Sequence, residues 1–166
     1  MGTSKNGRYL NTRGSGRSVS DYALVHSNEG TFSHRLVYKD GKHQKQLILA
    51  SGGHGQEGIK LLDKYHIKYN IVKTFQNGVR LGNVPDHQLK RKRTGKHQAW
   101  FPKNWSEKDI RHAGEHVTGL RKNRHKPDGS TLFGIWKGVK IGVKLTNGKI
   151  STVFPTYDQP KKGSKR

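Results

Sequence analysis

Apolar residues recur along this chain in short bursts, and the period of each burst sets the element it predicts. His34 to Tyr38 and Gln46 to Ala50 alternate as strands do, and they flank Asp40-Gly41, a dipeptide that favours a tight hairpin turn. Upstream, Ser20 to Phe32 is mixed in pattern, with one short apolar stretch at Tyr22–Val25. Ser51-Gly52-Gly53-His54-Gly55 breaks the alternation, and from Gly55 onward Ile59, Leu62 and Tyr65 or His66 fall at helical spacing. Tyr69 to Phe75 and Val79 to Val84 read as strands about Asn77-Gly78, the strongest short hairpin signal in the chain. Asp86 to His97 is a basic loop, and Ala99 to Trp105 is aromatic.

Ser106, followed three residues later by Asp109, is a helix start signal, and Ile110, Ala113, Val117 and Leu120 give that helix an apolar face. After a basic loop at Arg121 to Gly129, Thr131 to Trp136, Val139 to Leu145 and Lys149 to Phe154 are separated by Lys137-Gly138 and Asn147-Gly148. That spacing predicts a three-stranded meander, ended by Pro155. The sum is an α+β domain with helices grouped on one side of antiparallel sheet. Residues 1–20 read as a linker or loose arm, 21–158 as the folded domain, and 159–166 as a basic tail. The start, Met1 to Arg17, lacks the apolar stretch of a signal peptide and reads as the edge of a domain cut from a longer protein.

Charge narrows the class of partner. Lys and Arg number 33 against 11 Asp and Glu, a net charge of +22. So one-sided a field repels itself unless a polyanion uses it, and neutralised phosphates release counterions when such a chain binds nucleic acid. A membrane surface is the rival partner, but no long amphipathic basic helix is present, and no apolar run reaches the ~18 residues of a spanning helix. The absence of Cys excludes disulfides and thiolate metal sites.

The 10 histidines carry the candidate chemistry. RNA cleavage without metal needs a base to take the 2′-hydroxyl proton, an acid to protonate the leaving 5′-oxygen, and a cation for the phosphorane. Imidazole suits the first two and Lys or Arg the third. His54 is the leading candidate, because it lies between glycines where a phosphate can approach the backbone, just before a helix start. His87 stands at the mouth of a loop carrying Lys90, Arg91, Lys92, Arg93 and Lys96, and His34 opens the first predicted strand. Each is a candidate second acid or base, and each reads equally well as a surface residue. Trp100, Phe101 and Trp105 follow the basic loop and could stack bases or anchor the core. There is no HExxH motif. His112 and His116, one helical turn apart around Glu115, are the only hint of zinc, and neither metal nor cofactor is expected.

Four stretches in order resemble the bacterial EndoU nuclease family: Ser51 to Glu57, Asn77 to Pro85 leading to His87, Gln98 to Ser106, and Gly138-Val139 through Gly148 to Pro155. The likeness runs from about His34 to Tyr157 and is nearest to the toxin tips of LXG-type and contact-dependent inhibition effectors. It implies an EndoU-like fold, a pair of antiparallel sheets with helices packed outside, and endoribonuclease chemistry leaving 2′,3′-cyclic phosphate ends. The family uses two His, a Lys and a late Thr/Ser-x-Tyr. His54 matches the Gly-Gly-His position and Thr152 the late hydroxyl, while Phe154 stands where the family has Tyr and Tyr157 is a substitute. The upstream His matches His34 if the Asp40-Gly41 hairpin is an insertion, with His87 competing, and the Lys matches Lys92 or Lys90. The resemblance also implies secretion, action in the cytoplasm of a target bacterium, the N-terminal delivery region of a longer toxin, and a cognate immunity protein, acidic by charge complementarity. DNA cleavage and non-catalytic nucleic-acid binding are the alternative functions.

Overall fold

A computed structural model describes residues 16–160. In chain order the elements are α1 (Asp21–Asn28), β1 (Thr31–Lys39), β2 (Lys42–Ser51), α2 (Gln56–Lys64), β3 (Asn70–Thr74), β4 (Arg80–Asn83), a 3-10 turn at Lys90–Arg93, β5 (Gln98–Trp100), α3 (Glu107–Gly119), a second 3-10 turn at Arg121–Asn123, β6 (Thr131–Trp136), β7 (Val139–Thr146) and β8 (Lys149–Pro155). The strands form three antiparallel sheets, β1-β2, β3-β4-β5 and β6-β7-β8, where the resemblance implied a pair. The class is the α+β one the sequence indicated.

The turn dipeptides explain much of this. Asp40-Gly41, Lys137-Gly138 and Asn147-Gly148 each place two successive residues at positive φ, the geometry of the tight turn whose twist matches paired strands. At α3 the Ser106 hydroxyl accepts the Asp109 N–H at 3.3 Å and the Asp109 carboxylate accepts the Ser106 N–H at 2.9 Å, a reciprocal cap.

Besides the two 3-10 turns, one helix and one strand were not read from the sequence. α1 arises in the stretch of mixed pattern, started by Ser20, whose hydroxyl accepts the Ala23 N–H at 3.1 Å. β5 is three residues long and lies between two cores. Ala99 and Phe101 point into the larger one, with Val79, Ile110, Val117 and the inner faces of β6 to β8. Trp100 points the other way, into a smaller core with Leu49, Ile59, Leu62 and Val84. Trp100 is fully buried and Trp105 stacks on Phe101 at 5.0 Å, so both are core anchors and not base-stacking groups.

The expected boundaries shift at both ends. Residues 1–15 and 161–166 of the expected arm and tail lie outside the described residues. The rest of the arm is packed: Val19 is buried in the larger core, and the Arg17 N–H donates to the Thr118 hydroxyl at 2.8 Å. Val19, together with the hydrogen bonds of Arg17 to Thr118 and of Arg111 to the Val19 carbonyl, holds the segment against α3. Gln159, assigned to the tail, is also buried and accepts from the Asn77 side chain at 2.9 Å. No helix among the described residues is long and apolar enough to cross a membrane.

Candidate active site

The site begins with backbone. Gly52 and Gly53 both adopt left-handed φ, near +70°, which turns the chain end of β2 back along α1. The N–H groups of Gly53, His54 and Gly55 then donate in succession to the carbonyls of His26, Ser27 and Asn28, at 3.0, 2.6 and 3.0 Å. This lacing sets His54 beside the last turn of α1 and its His26. A Cβ on residue 52 would run into the His26 carbonyl in a conformation L side chains avoid. Gly52→Ala is therefore expected to lower stability by about 1–3 kcal/mol in urea unfolding; a midpoint equal to that of the parent would show that the turn is not under this constraint.

β5 and β8 close the other sides. His54 donates through Nδ1 to the Ala99 carbonyl at 2.8 Å, and its own carbonyl accepts the Phe101 N–H at 2.7 Å. Since a carbonyl only accepts, Nδ1 carries the proton and Nε2 keeps a free lone pair. Ser27 accepts the Val153 N–H at 2.9 Å in a buried contact, pinning β8 to α1. β8 thereby brings Phe154 to 5.9 Å from the His54 ring and Thr152 onto the same strand face.

Lys92 completes the cluster. It is one of four consecutive basic residues, yet it alone of them is buried, and its carbonyl accepts the Val84 N–H at 2.9 Å. None of the ion pairs among the described residues involves it. Burial, with Arg91 and Lys144 nearby, pulls its ammonium down to about 8, so it is still charged at neutral pH. Burial and the Lys92 charge push His54 down to about 3. The same two causes lower His26, whose Nδ1 lies 2.7 Å from the Thr31 hydroxyl. Two neutral imidazoles beside a buried cation without a counter-ion make a pocket of charge that an anion would relieve.

The expected site residues divide. The structure gathers His54, Lys92 and Phe154, with Thr152 on the strand face that carries Phe154. His34 is exposed on β1 opposite Leu47. His87 lies nearby but is sealed: fully buried, it accepts the Leu89 N–H through Nδ1 at 2.8 Å, and Nε2, which must then carry the proton, is buried without a partner. Burial and Lys92 hold it down to about 4, a neutral packing histidine. The second imidazole of the cluster is instead His26, which the sequence reading passed over. Its signals were a Ser-Asp helix start ahead of Tyr22–Val25 and a Gly-Gly turn whose N–H groups needed carbonyls.

Around the cluster, Lys90, Arg91 and Lys96 are exposed cations. Arg93 is occupied within the fold, donating to the carbonyls of His87 at 2.7 Å and Gln88 at 3.2 Å. Tyr157 donates to the His97 carbonyl at 2.5 Å, fastening the segment after β8 to the basic loop. His112 and His116 gather no third metal-ligating side chain among the described residues, and the His112 ring packs 6.0 Å from Trp136.

A family model described as bacterial EndoU nuclease matches residues 38–157. That stretch contains His54, Lys92, Thr152 and Phe154 but not α1 and His26. No curated protein and no solved structure matches the chain.

Proposed function

We propose that this chain, which belongs to the bacterial EndoU nuclease family, cleaves RNA without metal by transferring the 2′-hydroxyl onto the adjacent phosphorus. One observation carries the reading: a buried lysine with no ion-pair partner among the described residues lies within electrostatic reach of His54 and His26, and the His54 Nδ1–H is committed to a carbonyl, which leaves Nε2 to take a proton. His54 Nε2 takes the 2′-hydroxyl proton, O2′ bonds to phosphorus, and the Lys92 ammonium balances the charge of the phosphorane. His26 then gives a proton to the departing 5′-oxygen, and the P–O5′ bond breaks to leave a 2′,3′-cyclic phosphate. The Thr31 hydroxyl can either donate to or accept from His26 Nδ1, so it supports both protonation states. Thr152 orients the phosphate or base and Phe154 offers a ring to the base, while Lys90, Arg91, Lys96 and Tyr157 line the strand's approach.

The chain serves as the toxin tip of a longer secreted protein of the LXG or contact-dependent inhibition type, acting in the cytoplasm of a target bacterium. An acidic cognate immunity protein covers the basic face. Support for both is the net charge of +22 and the family membership.

The experiment is incubation with total RNA and with plasmid DNA, each with EDTA and with added magnesium. RNA cleavage in EDTA with cyclic phosphate ends is expected. Loss of DNA only when metal is added would overturn the mechanism and favour a DNA-cutting enzyme.

The pH profile has a definite direction. In the free enzyme His54 must be unprotonated and His26 protonated, and the kcat/KM profile reports free-enzyme groups. His54 meets its condition throughout neutrality. His26 is held below its ordinary value, so kcat/KM should fall as pH rises through the region below about 6.5. A plateau extending to pH 8 would remove His26 from the acid role.

A further inference from the structure

The sheet of β6, β7 and β8 has two unlike faces. Leu132, Val139, Ile141, Val143 and Val153 point inward and are buried in the larger core. On the opposite face the strand register lines up two rows: Phe133, Gly142 and Phe154, and beside it Thr131, Lys144 and Thr152. Phe133 is 43 % exposed and Lys144 is exposed as well. The first row begins at the active site, because Phe154 stands next to His54. Its ring lies over Gly142, where a Cβ would collide with it, so glycine is what lets the ring lean in from β8. The second row also meets the site, since the charge of Lys144 is felt at Lys92. Neither row holds a carboxylate.

We propose that this open face is a platform for single-stranded RNA, on which Phe133 stacks a base beyond the one beside Phe154 and Lys144 holds the intervening phosphate. The occupant follows from the chemistry present. An exposed aromatic ring offers a stacking surface indifferent to base identity, and an unpaired lysine next to it matches a phosphate. The face is continuous with the cluster that handles the scissile phosphate, so a strand seated there need only extend along the sheet. The assignment rests on the nuclease reading for its choice of ligand.

The test is fluorescence anisotropy with a 2′-O-methyl octanucleotide, in which no hydroxyl can attack, so binding is read without cleavage. Phe133→Ala should weaken binding about 5- to 100-fold, the range of one stacked base, while Phe133→Tyr retains it. Lys144→Ala should lower the salt slope of binding by about 0.7, the share of one phosphate on a single strand. Leu36→Ala, an exposed apolar residue on the β1–β2 hairpin, should leave affinity as it is. A folded Phe133→Ala protein that binds within twofold of the parent overturns the platform, as does a parent that prefers a duplex of the same sequence or binds no oligonucleotide. The two readings separate cleanly. A parent that binds through Phe133 but cuts no RNA removes the acid–base mechanism and keeps the platform. A parent that cuts RNA while Phe133→Ala binds normally removes the platform alone.

Discussion

Replacing His54 by Asn should lower RNA cleavage by about 10²- to 10⁴-fold, the contribution of one positioned acid–base group. Asn is the informative substitution. Its amide N–H can take over the bond that His54 Nδ1 donates to the Ala99 carbonyl at 2.8 Å, so the β5 contact survives. What it lacks is the basic nitrogen. His54→Ala should be as inactive but less stable, because it leaves that carbonyl unpaired and a gap beside Phe154. Initial rates on an RNA oligonucleotide, with thermal melts of both variants, separate loss of chemistry from loss of fold. An Asn variant that melts like the parent and keeps a tenth or more of its rate would show that the base is another group.

Lys92→Met is the second large effect, and activity and stability should move in opposite directions. Cleavage should fall about 10²- to 10³-fold, as when one preorganised donor to a developing anion is removed. Stability should rise. The native state holds the Lys92 ammonium down to about 8 against an ordinary value near 10.5, so folding is opposed by the charge whenever pH is below that window. The opposition is complete below about 8 and fades as pH climbs toward 10.5, because the folded form sheds its proton first. Met fills a similar volume without the charge, which should add about 1–3 kcal/mol at neutral pH. Chemical unfolding of both proteins at pH 7 and pH 10 reads this directly: the advantage of the Met variant should shrink at the higher pH. A variant less stable than the parent at pH 7 would mean that Lys92 makes contacts worth more than its desolvation.

These two expectations describe a single design. Burial lowers the proton affinity of the lysine and of the histidine alike, and a phosphodiester supplies the negative charge the cluster lacks. An anion between His26, His54 and Lys92 would raise all three toward their ordinary values. The fold accepts an unpaired buried cation in the free protein in exchange for a site complementary to negative charge.

Much of the framework was legible in the chain. The hairpin at Asp40-Gly41 and the C-terminal meander follow from alternation and from dipeptides that tolerate positive φ, and both signals are local. The same holds for α3, whose cap lies within four residues. His54 was legible for a related reason: a histidine between glycines marks a place where the backbone turns sharply. α1 and β5 were not legible. One is eight residues and the other three, too short for a period to declare itself, and β5 is a strand because it separates two cores.

By itself, then, the sequence determined the α+β class, the turns, the basic charge that favours a polyanionic partner and the one histidine set in a glycine-rich turn, since each rests on residues adjacent along the chain or on summed charge. Tertiary structure alone decided which residues share the site. His26 joins His54 because three N–H groups after the Gly-Gly turn lace onto the carbonyls of the last turn of α1. His87 is buried beside the candidate site, where a backbone N–H occupies its Nδ1. Lys92 is singled out from its basic neighbours because it alone of the four is buried, and burial is a property of the packed whole.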